Sequence, residues 1–248
     1  LKYFQIIMKI VILVIVFILI ILYMSTRENF SEIKFGKEGY KVITKEERKK
    51  HGDKKTTFGS VTYKGLKGII DLFLKVHKTT KGKVLLDLGS GDGRIPIWSS
   101  KWDFKSCEGV ELLKSRHDLA MSKRNELPKS RKARVKLSEG DLLEYPVSHG
   151  DIIYISSLCF DKELLKKLSE KLARECKYGV HIYSNRSLEH PQLKQLNILT
   201  IEQTWIKPGA SIHMYIKVPE NFKHEELDSR VFEPDTFDYD KFDRENFK

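Results

Sequence analysis

The sequence predicts an α/β fold: a seven-stranded, mostly parallel sheet with helices on both faces and an antiparallel C-terminal hairpin, preceded by one transmembrane helix. Three observations predict it. From Thr62 onward, short apolar runs alternate with segments of helical periodicity, the pattern of successive βα units. The run VLLDLGSGDGR, residues 84–94, reads as a buried strand that breaks into a glycine turn and opens a helix. Near the C-terminus, two further strands flank Lys207-Pro208-Gly209, a turn signal that makes them a hairpin.

The elements follow in order. Leu66, Ile69, Ile70 and Phe73 recur at helical spacing, which predicts a helix over 63–77. Residues 83–88 form a strand that ends in glycines. A helix follows over 94–101, where Pro96 is tolerable in the first turn. Residues 106–111 form a second strand, 112–125 a helix stopped by Pro128, 133–137 a third strand and 151–156 a fourth. Leu164, Leu165, Leu168 and Leu172 define one face of a helix over 161–175, with Asp161 as its N-cap. Strands over 178–183, 196–206 and 210–218 complete the sheet. In such a sheet, ligands bind at the carboxyl ends of the strands, near the point where strand order reverses.

Three segments lie outside this body, which spans 58–218. Residues 10–24 (IVILVIVFILIILYM) carry no charge, and extending back to Ile6 adds only Lys9 as an interruption. That approaches the ~20 residues a bilayer span needs, and Lys9 can snorkel. A secretory signal peptide is the competitor, but YMSTREN offers no small-residue cleavage site. We expect a membrane anchor over 1–26. The basic excess after it (Arg27, Lys34, Lys37, Lys41) places the body on the cytoplasmic side. Residues 27–57 hold ten Lys/Arg and six acids and read as a basic stalk, suited to anionic lipid. Residues 219–248 lack periodicity and read as an acidic disordered tail.

The net charge is +11, and residues 220–248 carry −5, leaving about +16 elsewhere. Such a body favours acidic partners: nucleic acid, anionic membrane or an acidic protein surface. The run KSRKARVK (129–136) is either such a patch or a solvated loop, and lacks the aromatics of a stacking platform. Three cysteines without paired spacing argue against a disulfide framework or a zinc site.

The glycine turn has three candidate ligands. A P-loop needs GxxxxGK[ST], but Arg94 and Ile95 follow Gly93 here. A dinucleotide fold needs GxGxxG; here the spacing is GxGxG, with Asp92 inside the turn, where a carboxylate would face a pyrophosphate. S-adenosylmethionine (SAM) is cationic at its sulfonium and ammonium, so acids near the turn are tolerable. Its ribose has two hydroxyls that one carboxylate can accept from, and Glu111 ends the second strand. Its adenine amino group needs an acceptor, and Asp141 follows the third. The bland reading makes Glu111 and Asp141 surface caps.

This constellation resembles the Rossmann-like class I methyltransferases. More narrowly, residues 57–217 resemble the Dot-type family (disruptor of telomeric silencing), which methylates a lysine of the nucleosome core. The resemblance is carried by FGSVTY (58–63), DLGSGDG (87–93), GVE (109–111), GDLL (140–143) and IIYISSLCF (152–160). It implies that Gly89, Gly91 and Gly93 let the backbone approach SAM, that Thr62 and Asp87 hold the methionine end, that Glu111 holds the ribose, and that Asp141 and Leu142 cover adenine. It also places Ser156 and Ser157 where the family has an Asn pair, and Ser60 where it has Glu, positions that shape the lysine channel. The core Gly89 to Arg94, together with the anchor, is also similar to small lysine methyltransferases of mitochondrial membrane proteins.

Methyl transfer needs mainly positioning and desolvation of the acceptor, so the acceptor is weakly encoded. The segment after strand four lacks the Asn/Asp-Pro-Pro-Tyr/Phe of enzymes that methylate exocyclic amino groups of bases, and no Pro-Cys nucleophile is present. Phe160 suits either the wall of a methyl channel or the core, and Trp205 is read mainly as core. The expected acceptor is a protein lysine, on a histone or a membrane protein. A small molecule, a lipid, or no acceptor at all in a binding module are the alternatives.

Overall fold

The computed structural model describes residues 14–17, 33–56, 59–220 and 222. Of the expected anchor, only 14–17 lie among them; these are helical and exposed. The rest of the span, most of the tail and residues 57–58 lie outside the described residues. Among the described residues, no helix is long and apolar enough to cross a membrane.

The sheet has seven strands: β1 (Val84–Leu88), β2 (Ser106–Glu111), β3 (Val135–Glu139), β4 (Ile152–Ile155), β5 (His181–Ser184), β6 (Leu193–Ile201) and β7 (Ala210–Lys217). Their order is β3-β2-β1-β4-β5-β7-β6. All pairs are parallel except β5–β7 and β6–β7. The order reverses between β1 and β4, as a doubly wound sheet requires.

Alternation along the strands makes two cores. Leu86, Leu88, Ile153 and Ile155 face one layer, where α7 (Lys162–Glu175) contributes Leu165, Leu168 and Leu172. Leu85, Ile152 and Tyr154 face the other, where α3 (Tyr63–His77) contributes Leu66, Ile69, Ile70 and Phe73. Each fully buried Leu or Ile contributes about 1.5–3 kcal/mol, so these two helices fix the layers. Asp161 caps α7 by accepting from the Leu164 N–H at 2.8 Å. The shorter helix α4 (Arg94–Ser99) and helix α5 (Lys114–Asn125) complete the βα units.

Several strands are shifted from their predicted places, for identifiable reasons. Residues 129–132 form a one-turn helix, α6 (Lys129–Lys132), so β3 starts at Val135 rather than 133. Gly179 turns with φ of 77°, so β5 starts at His181 rather than 178. β6 stops at Ile201 because the chain leaves the sheet to bridge Gln203 to Val61. In the basic run, Arg131 donates to the Ile97 carbonyl and Ser100 Oγ, and Arg134 to the Ser100 and Trp102 carbonyls. These arginines are spent on the end of α4 and the residues just after it, and Lys136 of the same run pairs with Glu108 at 2.9 Å.

Residues 35–56, expected within the stalk, carry two helices, α1 (Glu38–Lys41) and α2 (Lys45–Thr56, broken at Gly52). They pack on the body. Phe35 meets Trp98 edge-on at 5.1 Å, and Ile43 is buried. Thr44 and Glu47 form a reciprocal capping box at the start of α2, with bonds of 2.9 and 3.1 Å.

Candidate functional site

A cavity of about 440 Å³ opens at the carboxyl ends of β1, β2 and β4, at the reversal of strand order. Its floor is the glycine turn. Gly89, Gly91 and Gly93 all have positive φ (88°, 56° and 76°). The Gly89 and Ser90 N–H groups both donate to the Val110 carbonyl at 2.9 Å, which folds the turn over β2. Gly109 allows this approach, since a Cβ there would lie 2.7 Å from that of Ser90.

Glu111, the last residue of β2, lines the cavity at 6% exposure. Its Oε2 accepts the Gly91 N–H at 2.8 Å and its Oε1 the Leu113 N–H at 3.0 Å. Burial raises its pKa, while those amides and Arg116 oppose the rise. Asp87, near the end of β1, is 1% exposed, and neither carboxylate oxygen has a hydrogen-bond partner among the described residues. Burial, then the charges of Glu111 and Asp92, push its pKa well above the usual carboxylate range. A buried, unpartnered carboxyl beside a cavity is suited to a ligand cation.

Asp92 does not face the cavity. It is clamped to Arg94 through bonds of 2.9 and 2.6 Å, and both residues are buried. The premise that this carboxylate would confront a pyrophosphate is therefore corrected. The acids on the wall are Asp87, Glu111 and Asp141, and it is they that make the cavity a poor phosphate site.

The structure brings together Asp87, Gly89, Gly91, Glu111, Asp141, Leu142, Ser156 and Phe160 as cavity lining. Asp141 is exposed, and its Oδ1 accepts the Leu143 N–H at 2.9 Å, which fixes its turn. The Phe160 ring lies over the glycine turn, 3.6 Å from where a Gly89 Cβ would stand. Ser156 Oγ donates to the Gly59 carbonyl at 3.1 Å.

Three candidates stand elsewhere. Thr62 is the N-cap of α3: its Oγ1 accepts the Gly65 N–H, and its own N–H donates to the Glu202 carbonyl, both at 3.1 Å. Ser157 is fully buried, shares a hydrogen bond with Ser184 Oγ at 2.7 Å and accepts the Arg186 N–H at 2.9 Å. Gly93 packs beneath the turn, against Ala120.

Other lining residues were not anticipated as site residues, notably Arg116, Leu158 and Trp205. Trp205, read mainly as core, is 41% exposed. Its indole lies on Gly59, where a Cβ would be 2.7 Å from Cδ1. The loop that carries it is stitched to residues 60–62 by Thr204 and Glu202.

Fold and site together define a Rossmann-like methyltransferase that takes S-adenosylmethionine as its methyl donor. The family model described as "Histone methylation protein DOT1" matches residues 40–206, and the chain belongs to that family. A protein-lysine N-methyltransferase of Saccharolobus islandicus (strain REY15A) is 28% identical over 120 residues, covering 47% of this chain and 70% of that protein. Among solved structures, a putative methylase from Haemophilus influenzae has a TM-score of 0.50 at 16% identity, covering 62% of this chain and 88% of its own. An RNA methyltransferase from Salinibacter ruber, in complex with S-adenosyl-L-homocysteine, has a TM-score of 0.48 at 21% identity, covering 65% and 97%. At this identity the Haemophilus structure speaks to the fold alone.

Proposed function

We propose that the protein is a protein-lysine N-methyltransferase. The observation that carries this reading is the cavity itself, whose acidic wall passes into a mouth of Phe160, Leu158 and Trp205. The lysine-methylating relative and the family match support it.

SAM supplies a methyl group on a cationic sulfonium. Glu111 holds the ribose hydroxyls, Asp141 and Leu142 cover adenine, and Gly89 and Gly91 let the backbone approach. Asp87 meets the methionine ammonium: a carboxyl pKa that burial raises is lowered beside a cation. Thr62 holds the methionine end only through the segment it caps, since Ser60 is the lining residue there. Gly93 and Ser157 support the turn and the post-β4 segment from behind. Phe160 and Trp205 strip water from the lysine stem and present aromatic faces to its amine. Ser156 fixes Gly59, and with it the seat of Trp205.

The apolar segment 10–24 anchors the chain to a membrane in this proposal, with the catalytic body facing the cytoplasm. The acceptor is then a histone or a membrane protein with an accessible lysine, and lysines of the basic body meet anionic partners, nucleic acid included. A lipid or small-molecule acceptor is the second reading, favoured by the exposed Leu158, Trp205 and Ile206 near the mouth.

The test is incubation of the protein with methyl-labelled SAM, fractionated lysate and nucleosomes. Label in a protein band supports the proposal. Label confined to the organic extract moves the assignment to lipid or metabolite, and label nowhere favours a binding module.

A further inference from the structure

Residues 35–47 lie against the elements that build the donor cavity. The Gly36 carbonyl accepts from Arg94 Nη2 at 3.2 Å, and the Arg94 guanidinium sits over the Phe35 ring, 5.4 Å from its centroid. The Gly39 carbonyl accepts from Arg116 Nε at 3.0 Å. The Glu47 carboxylate accepts the Ser115 N–H at 2.9 Å, at the start of α5. Two buried arginines beside the glycine turn are thus held by backbone carbonyls of a segment that precedes the catalytic body.

We infer that Arg116 is a positioning residue for Glu111, and that residues 35–47 are a strap that orients Arg116 and so forms part of the donor site. The inference rests on the reading of the cavity as a SAM site. Arg116 lines the same cavity as Glu111 and is 4% exposed. A buried guanidinium must be met by acceptors or carboxylates, and a strap carbonyl fixes one of its donors.

The surroundings of Glu111 explain why a cation is needed. The charges of Asp87, on β1, and Asp92, in the turn after it, act against ionisation of Glu111. Glu139 lies opposite it in the β2–β3 register, and Asp141 lines the same cavity. Arg94, the cation of the turn, is committed to Asp92. Arg116 is the positive group that opposes the effect of burial on Glu111. Ionised, Glu111 can take the Gly91 and Leu113 amides and still accept from two ribose hydroxyls. Protonated, it loses acceptor capacity on one oxygen. Arg116 therefore keeps the carboxylate competent at neutral pH, and the strap keeps Arg116 in place.

The experiment is calorimetric titration of SAM into the full chain between about pH 5 and pH 8. The variants are Arg116→Met, Arg116→Lys, Phe35→Ala, Glu111→Gln and the Arg116→Met/Glu111→Gln pair. Arg116→Met binds SAM roughly tenfold more weakly near neutral pH, and its deficit grows as the pH falls, because Glu111 then protonates at a higher pH than in the wild type. Arg116→Lys, which keeps the charge, restores the wild-type pH profile. Phe35→Ala loosens the strap and moves the profile in the same direction as Arg116→Met. In the Glu111→Gln background, Arg116→Met adds no pH-dependent loss.

A wild-type profile in Arg116→Met, or a deficit equal at every pH, overturns the role of Arg116. An unchanged profile in Phe35→Ala overturns the role of the strap. Should Arg116→Met fail to fold by circular dichroism, Arg116→Gln replaces it with the same two outcomes. Absence of SAM binding to the wild type would overturn the donor reading beneath the inference.

Discussion

Glu111 Oε2 accepts the backbone N–H of Gly91 at 2.8 Å, joining the end of β2 to the turn after β1 across 20 positions of sequence. The same carboxylate therefore shapes the turn and presents an anion to the cavity. Glu111→Ala removes both functions. We expect SAM affinity to fall roughly 10- to 100-fold, the range for losing hydrogen bonds to a charged acceptor. Calorimetry with SAM checks this; affinity within a factor of about two of wild type would rule the role out.

The support beneath the turn is steric. Gly93 has φ of 76°, and a Cβ there would lie 2.8 Å from the Ala120 Cβ. Gly93→Ala meets both an unfavourable backbone and a packed helix. It should cost about 1–3 kcal/mol in urea unfolding. Retention of full stability would mean that α5 yields freely at this point.

At the mouth, Gly59 is the seat of Trp205. Gly59→Ala places a methyl 2.7 Å from Cδ1 of the indole and displaces it. If the indole guides the acceptor, KM for the acceptor rises severalfold while SAM affinity holds. Equal losses in both would assign Trp205 to the donor side instead.

His181 predicts an acid limb in stability. Its ring is fully buried against Phe73 and His77, with neither nitrogen partnered among the described residues. Burial first, and then the charges of His77 and Lys83, lower its pKa to about 3. The unfolded chain takes up this proton below about pH 6.5 and the folded chain does not. The stability His181 contributes is thus complete above about pH 6.5 and is lost progressively as pH falls toward about 3. His181→Phe should spare about 2 kcal/mol of the loss between pH 7 and pH 5. Urea melts at the two pH values measure it, and parallel losses in variant and wild type would refute it.

The fold was legible because its signals are local and repeated. The apolar runs of β1 and β4 and the leucine face of α7 are each set by burial on one sheet face. β5 slipped because Gly179 turns with positive φ just before it, and β6 because the Gln203 bridge to Val61, a contact distant in sequence, overrides propensity. The strap was missed for a related reason. Its helices bury little apolar surface and are held by carbonyls, a capping box and one carboxylate, so hydrophobic periodicity is silent there. The capping box Thr44-Lys45-Glu46-Glu47 was the available signal.

Among the cavity lining, Asp87, Gly89, Gly91 and Glu111 were legible from the strand ends and the glycine turn, and Asp141, Leu142, Ser156 and Phe160 from the segments that follow β3 and β4. Arg116, on α5, carried no sequence signal of the cavity, and Trp205 was read mainly as core, because nothing local shows which side chain of a helix or loop closes over a cavity. Asp92 was legible as an acid in the turn but not in its direction, which Arg94 decides only two residues later.

The most direct test of the central claim is amino-acid analysis of protein methylated with labelled SAM, comparing wild type with Glu111→Ala. The account predicts label recovered as methyl-lysine with the wild type and lost with the variant. Folded wild-type protein that transfers no label to any lysine-containing fraction, or a variant that transfers as much as wild type, would contradict it.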